Sequence, residues 1–144
     1  MPQDRGLSLL AKLTLLARVW LAAIQIHFEL RRRPLEQVAV SLGRTHGEWH
    51  GSTALLSRAV SRGLRVGRWQ PRCLIRSLVL YRLLRSQGDP AMLVIGLPLM
   101  PTTHQAHSWV ELGGRDVGPA PGGSGYRELT RYPRDRSLTS TPAP

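Results

Sequence analysis

The single cysteine of the chain, Cys73, lies in Trp69-Gln70-Pro71-Arg72-Cys73-Leu74, at the start of an apolar, arginine-studded stretch that reads as a helix running to Gln87. A thiol in the first turn of a helix feels the partial positive charge of unpaired backbone N–H groups, and Arg72 and Arg76 stand one and three residues away. Both effects favour the thiolate, the nucleophilic form. Downstream, His107 opens the run His107-Ser108-Trp109-Val110-Glu111-Leu112, which a Gly113-Gly114 turn closes as strand and hairpin. A thiol and an imidazole on two such elements are the parts of nucleophilic acyl chemistry, in which the base takes the thiol proton and later gives it to the leaving amine. A lone cysteine is more often a packing residue; helix-start position, arginines and the ordered histidine strand together select the chemical reading here. The backbone N–H of Cys73 is the expected oxyanion donor, with the Gln70 side chain as a secondary candidate. Trp109, on the same strand face as His107, is expected to wall the pair from water.

These groups need elements to hold them. The run from Leu7 to Leu30 reads as a helix with Ser8, Lys12, Thr14, Arg18, Gln25 and Glu29 on one face and a wide apolar remainder that includes Leu13 and Trp20. So narrow a polar side predicts packing on the core and on something else besides, another protein being the expected partner. Arg31-Arg32-Arg33-Pro34 ends it. Shorter helices are expected over Leu35 to Leu42 and Ala54 to Arg62, the latter capped by Ser52 or Thr53. Gly88-Asp89-Pro90 stops the cysteine helix, Ala91 to Leu97 follows as a buried strand, and Ala106 to Leu112 pairs with a third strand near Arg115-Asp116-Val117. Pro119 to Gly125 is expected to be irregular, with Tyr126 and Leu129 packing back, and the chain after Tyr132 to be a tail. The division is a helical, partner-binding extension over 1–50, a catalytic core over 51–132 and a flexible tail over 133–144, an α+β arrangement.

The chain has 144 residues, enough for one domain and core. One thiol excludes an internal disulfide and fits a reducing cytoplasm. Lys12, Arg18, Gln25 and Glu29 interrupt the N-terminal apolar run and no small-residue cleavage site follows, so neither a membrane span nor a signal peptide is expected. The formal charge is +11, with one lysine among 20 basic residues. Between Glu48 and Asp89 no acid occurs, while Arg58, Arg62, Arg65, Arg68, Arg72, Arg76, Arg82 and Arg85 accumulate. Such a field attracts an acidic peptide, a partner or a nucleic acid; the alternative is a solvated face whose arginine bias reflects GC-rich coding. Arg58, Arg62 and Arg65 share one helical face. His46 and His50 stand at zinc-ligand spacing, but Gly47 disfavours the helix this needs and no further ligands accompany them; no metal and no cofactor is expected.

Cysteine at a helix start followed by histidine on a strand is the order of papain-like and transglutaminase-like enzymes. The segments Cys73-Leu74-Ile75-Arg76-Ser77-Leu78, Ala91 to Gly96 and Ala106-His107-Ser108-Trp109-Val110-Glu111 resemble, in order and spacing, the transglutaminase-like cysteine peptidases of lasso-peptide biosynthesis. The resemblance spans Arg58 to Tyr132. It implies a papain-like or transglutaminase-like core, with the cysteine helix packed on a small antiparallel sheet. It also implies removal of the leader from a ribosomally made precursor peptide, with a small leader-recognition protein and the lasso cyclase as partners and the N-terminal helices serving that association. In that family an aspartate beyond the hairpin turn orients the histidine, and Pro119 stands at the corresponding place. The nearest acid is Asp116, which a hairpin centred on Gly113-Gly114 sets opposite Glu111; it is the candidate third member beside Cys73 and His107. Two other readings stay open: a catalytically weak or inactive scaffold presenting the precursor to a cyclase, favoured by Pro119, and a basic nucleic-acid-binding module, disfavoured because only Trp69 and Tyr81 interleave the arginines.

Overall fold

The helix that begins at Cys73, α4 (Cys73–Ser86), buries Ile75, Ser77, Leu78, Val79, Leu80, Tyr81 and Leu84, which lie all round its circumference. A helix apolar on every side must be surrounded. Here α1 (Leu9–Arg32), α2 (Leu35–Gly43) and α3 (Thr53–Gly63) pack on one side, and strands β1 (Ala91–Pro98) and β2 (His107–Leu112) on the other. With β3 (Arg115–Gly118) and β4 (Tyr126–Tyr132) these form one antiparallel sheet of order β3-β2-β1-β4. The computed structural model describes residues 8–44, 46–47, 50–65, 72–100, 105–120 and 122–134. The architecture is α+β: four helices and then a four-stranded sheet, with the cysteine helix packed upon it.

One core runs through both layers. Leu15, Val19 and Ile26 of α1, Val38 and Leu42 of α2, and Leu56 and Val60 of α3 meet Leu78, Tyr81 and Leu84 of α4, and beyond these Leu93, Val110 and Tyr132 from the sheet. Side-chain caps start α1 and α3: Ser8 accepts from the Ala11 N–H at 3.2 Å and Ser52 from the Leu55 N–H at 3.2 Å. The Gln87 amide, just past α4, exchanges two hydrogen bonds with the backbone of Gly51, both 3.0 Å, and so ties the approach to α3 to the end of α4.

Two features go beyond the expectations from sequence. With Lys12, Arg18, Gln25 and Glu29 in it, α1 still has an 18-residue window with a mean hydropathy of 1.6. By length and composition the helix is able to cross a bilayer, although five of its residues are buried in the core. Regular structure also extends beyond the irregular loop: Tyr126–Tyr132 is a strand, paired antiparallel with β1. Pro133 and Arg134 follow it, and Arg134 pairs with Glu36 of α2 at 3.2 Å and lies over the Tyr132 ring.

Candidate active site

Cys73 is the first residue of α4. The residue before it, Arg72, holds an extended ψ of 148°, and no side chain caps the helix start. The positive end of the helix therefore faces the thiol, which is free and partly exposed. Gln70, the secondary oxyanion candidate, lies outside the described residues together with Trp69 and Arg68.

A pair of hydroxyls fixes α4 against β2. Ser77, one turn beyond Cys73, donates through Oγ to the backbone carbonyl of Ser108 at 2.8 Å and receives the Ser108 hydroxyl at 3.1 Å. Both serines are buried. Because Ser77 follows the cysteine by one helical turn and Ser108 follows the histidine directly, this staple sets the helix start relative to the strand start. Sequence reasoning assigned neither serine a role. Their types are ordinary in a helix and a strand, and only the tertiary pairing singles them out.

Side chains alternate along β2. Ser108 and Val110 turn toward α4, so His107, Trp109 and Glu111 share the other face, as the sequence led one to expect for the first two. There the imidazole lies 6.1 Å from the Trp109 ring, nearly parallel to it, and 5.0 Å from Tyr126 of β4. Trp109 is 4% exposed and donates from Nε1 to Glu111 at 3.0 Å. The indole lies over Gly96, where a Cβ would come within 2.9 Å of it, so glycine is what admits the ring. Tyr126, expected only to pack back, is a further member of this aromatic wall, a role the sequence did not show because β4 itself was not foreseen.

His107 is 6% exposed, and its Nε2 is buried without a hydrogen-bond partner among the described residues. Burial holds the imidazole below its ordinary pKa of 6.5; the Asp116 carboxylate acts in the opposite direction, and the Arg76 guanidinium deepens the depression. Arg76, on α4 one turn from Cys73, is itself held below its usual range by burial and then by Arg65, while Cys73 raises it. Arg76 thus interacts electrostatically with both thiol and imidazole, and its Nε is buried without a hydrogen-bond partner among the described residues. No hydrogen bond joins Cys73 to His107 among the described residues; catalytic hydrogen bonds of this kind often close only when substrate is bound.

Asp116 pairs opposite Glu111, the register expected from the hairpin turn. Its carboxylate is engaged elsewhere: one oxygen accepts from the Gly118 N–H at 2.9 Å and the other from the Gly123 N–H at 2.8 Å. Gly122, at φ +73°, lies so close that any Cβ there would collide with the same carboxylate. Asp116 therefore shapes the loop between β3 and β4, and it acts on His107 through space. Pro119 is buried in that loop. Among the described residues no group of three or more metal-ligating side chains occurs, and His46 and His50 lie on non-helical backbone.

Arg58 and Arg62 are exposed on α3 and Arg65 just beyond it, the end nearest Arg76. The chain matches the transglutaminase-like superfamily over residues 9–131, a span that takes in the N-terminal helices as well as the cysteine helix and the sheet. No curated protein and no solved structure matches it. A cysteine at the start of the central helix, a histidine on the adjoining strand and a match over most of the sequence make one conclusion: the chain belongs to the transglutaminase-like superfamily.

Proposed function

We propose that the protein is a cysteine peptidase that removes the leader from a ribosomally synthesised lasso-peptide precursor. Cys73 Sγ attacks the carbonyl carbon of the scissile bond while His107 takes the thiol proton. The S–C bond forms, the C–N bond breaks, and His107 returns that proton to the departing amine. Water then attacks the thioester; His107 accepts its proton and passes it to the departing Cys73 thiolate, which frees the leader as a carboxylic acid. The developing oxyanion faces the positive end of α4, with the Cys73 backbone N–H as donor. Asp116 is the third member, acting as an electrostatic partner of the imidazole. The observation that carries this reading is the stapled junction of α4 and β2, where the Ser77–Ser108 hydrogen bonds hold the helix that begins at Cys73 against the strand that begins at His107, with Arg76 acting electrostatically on both. Membership of a superfamily whose members are typically cysteine hydrolases supports it. The precursor peptide, a small leader-recognition protein and the cyclase are the partners, and the cytoplasm is the compartment.

A second reading, the weak or inactive scaffold, has its own observation: the Asp116 carboxylate is spent on two backbone N–H groups and Pro119 stands where an orienting acid is expected. Acid-quenched mass spectrometry of the protein mixed with precursor and leader-recognition protein separates the two. The peptidase carries the leader as an acyl group on the Cys73-containing fragment. Precursor cleaved at full rate after alkylation of the one thiol overturns the peptidase reading.

A further inference from the structure

Helix α1 has two apolar faces. Leu15, Val19, Ala22, Ala23 and Ile26 enter the core. On the opposite side Leu10, Leu13, Leu21, Ile24 and Phe28 are between 48% and 74% exposed. Together with exposed Ala17 they recur every three or four residues, which at the α-helical repeat confines them to a strip of about 80° along a helix about 36 Å long. So long an uncovered ridge is unusual on a soluble monomer. The helix carrying it is cationic: α1 bears exposed Lys12, Arg18, Arg31 and Arg32 against one acid, Glu29. The last turn ends in Arg31 and Arg32, and Arg33 follows.

We propose that this ridge docks on the surface of an anionic lipid bilayer, with α1 lying in the headgroup plane. A helix of leucines and phenylalanine bordered by arginines is suited to that boundary, where the apolar side chains enter the acyl region and the cations meet lipid phosphates. The core face of α1 stays on α4 and α3, so the helix lies along the membrane and does not cross it. The ridge is convex, which a fluid surface accommodates without a matching pocket. Beside its C-terminal half runs a groove lined in part by Ile24, Phe28, Glu29, Arg32 and Arg82, where two guanidiniums outweigh one carboxylate and a phosphate has cations beside an apolar wall. A second copy is disfavoured as occupant, since two chains of charge +11 would meet through like-charged surfaces. The inference concerns binding alone and stands independently of the peptidase reading.

Flotation of the full chain with vesicles of phosphatidylcholine alone, and with vesicles of equal parts phosphatidylcholine and phosphatidylglycerol, tests it at low and high salt. The chain is expected to float with the anionic vesicles only, and less at high salt. The triple variant Leu13→Gln, Leu21→Gln, Phe28→Gln, altered at exposed positions, should lose at least about tenfold in partitioning while its thermal midpoint stays put. Absence of flotation with anionic vesicles, or equal flotation with both vesicle types, overturns the proposal without recourse to any variant. Retained flotation by the folded triple variant also overturns it. If the same substitutions leave flotation unchanged but convert a dimer to a monomer, or abolish co-purification with the leader-recognition protein, the ridge is a protein interface instead.

Discussion

His107 can accept the Cys73 proton only while neutral, and its surroundings decide when that holds. Burial and Arg76 depress its pKa below 6.5, so the acid limb of kcat/KM is expected below pH 6.5. The signs of the neighbours are separable. Asp116→Asn removes the charge that raises the imidazole, and the limb should move to lower pH; Arg76→Gln removes an opposing cation, and the limb should move up. A pH–rate profile for each variant checks the pair, and a limb unmoved by both detaches these charges from His107. Stability follows the same linkage. Between the folded pKa and 6.5 the unfolded imidazole holds a proton that the folded one does not, so the His107 contribution is complete above pH 6.5 and is lost as the pH falls below it. Chemical denaturation from pH 7.5 down to 5, compared with His107→Gln, measures that loss.

Between elements, the Ser77–Ser108 staple adds a polar tie to the apolar packing of α4 on β2. Ser77→Ala removes both hydrogen bonds of the staple and should cost about 1–3 kcal/mol; Ser108→Ala leaves the Ser77 to carbonyl bond in place and should cost about 1 kcal/mol or less. Thermal denaturation ranks them, and turnover should fall further for Ser77→Ala. This staple was illegible in the sequence because it joins side chains 31 residues apart. The cysteine helix, by contrast, was legible almost to the residue: apolar side chains all round, and Gly88-Asp89-Pro90 to stop it. Strand β4 was not, since Arg127, Glu128 and Leu129 are exposed and only Tyr132 is buried. A sheet-edge strand carries charge where an interior one would carry core residues, and its pairing comes from β1 rather than from any alternation of its own. The hairpin register placing Asp116 opposite Glu111 followed from Gly113-Gly114, whereas the use of that carboxylate by Gly118 and Gly123 depends on a loop the sequence left unshaped.

Across the whole molecule, charge and chemistry converge. The arginines of α3 lead toward Arg76, which Arg65 already depresses, so under the proposed function an acidic leader is expected to be drawn along Arg58, Arg62 and Arg65 toward the thiol. Replacing the three with Gln should raise KM and flatten its salt dependence while kcat holds, because steering charges act on encounter. Equal KM values for variant and parent at low and high salt would assign the cluster to composition alone. The most direct test of the account is precursor cleavage by Cys73→Ala, followed by mass spectrometry in the presence of the leader-recognition protein, with circular dichroism to show the fold retained. The account predicts that no leader is released by this variant under conditions where the parent chain removes it. Leader release by Cys73→Ala at the parent rate would contradict it.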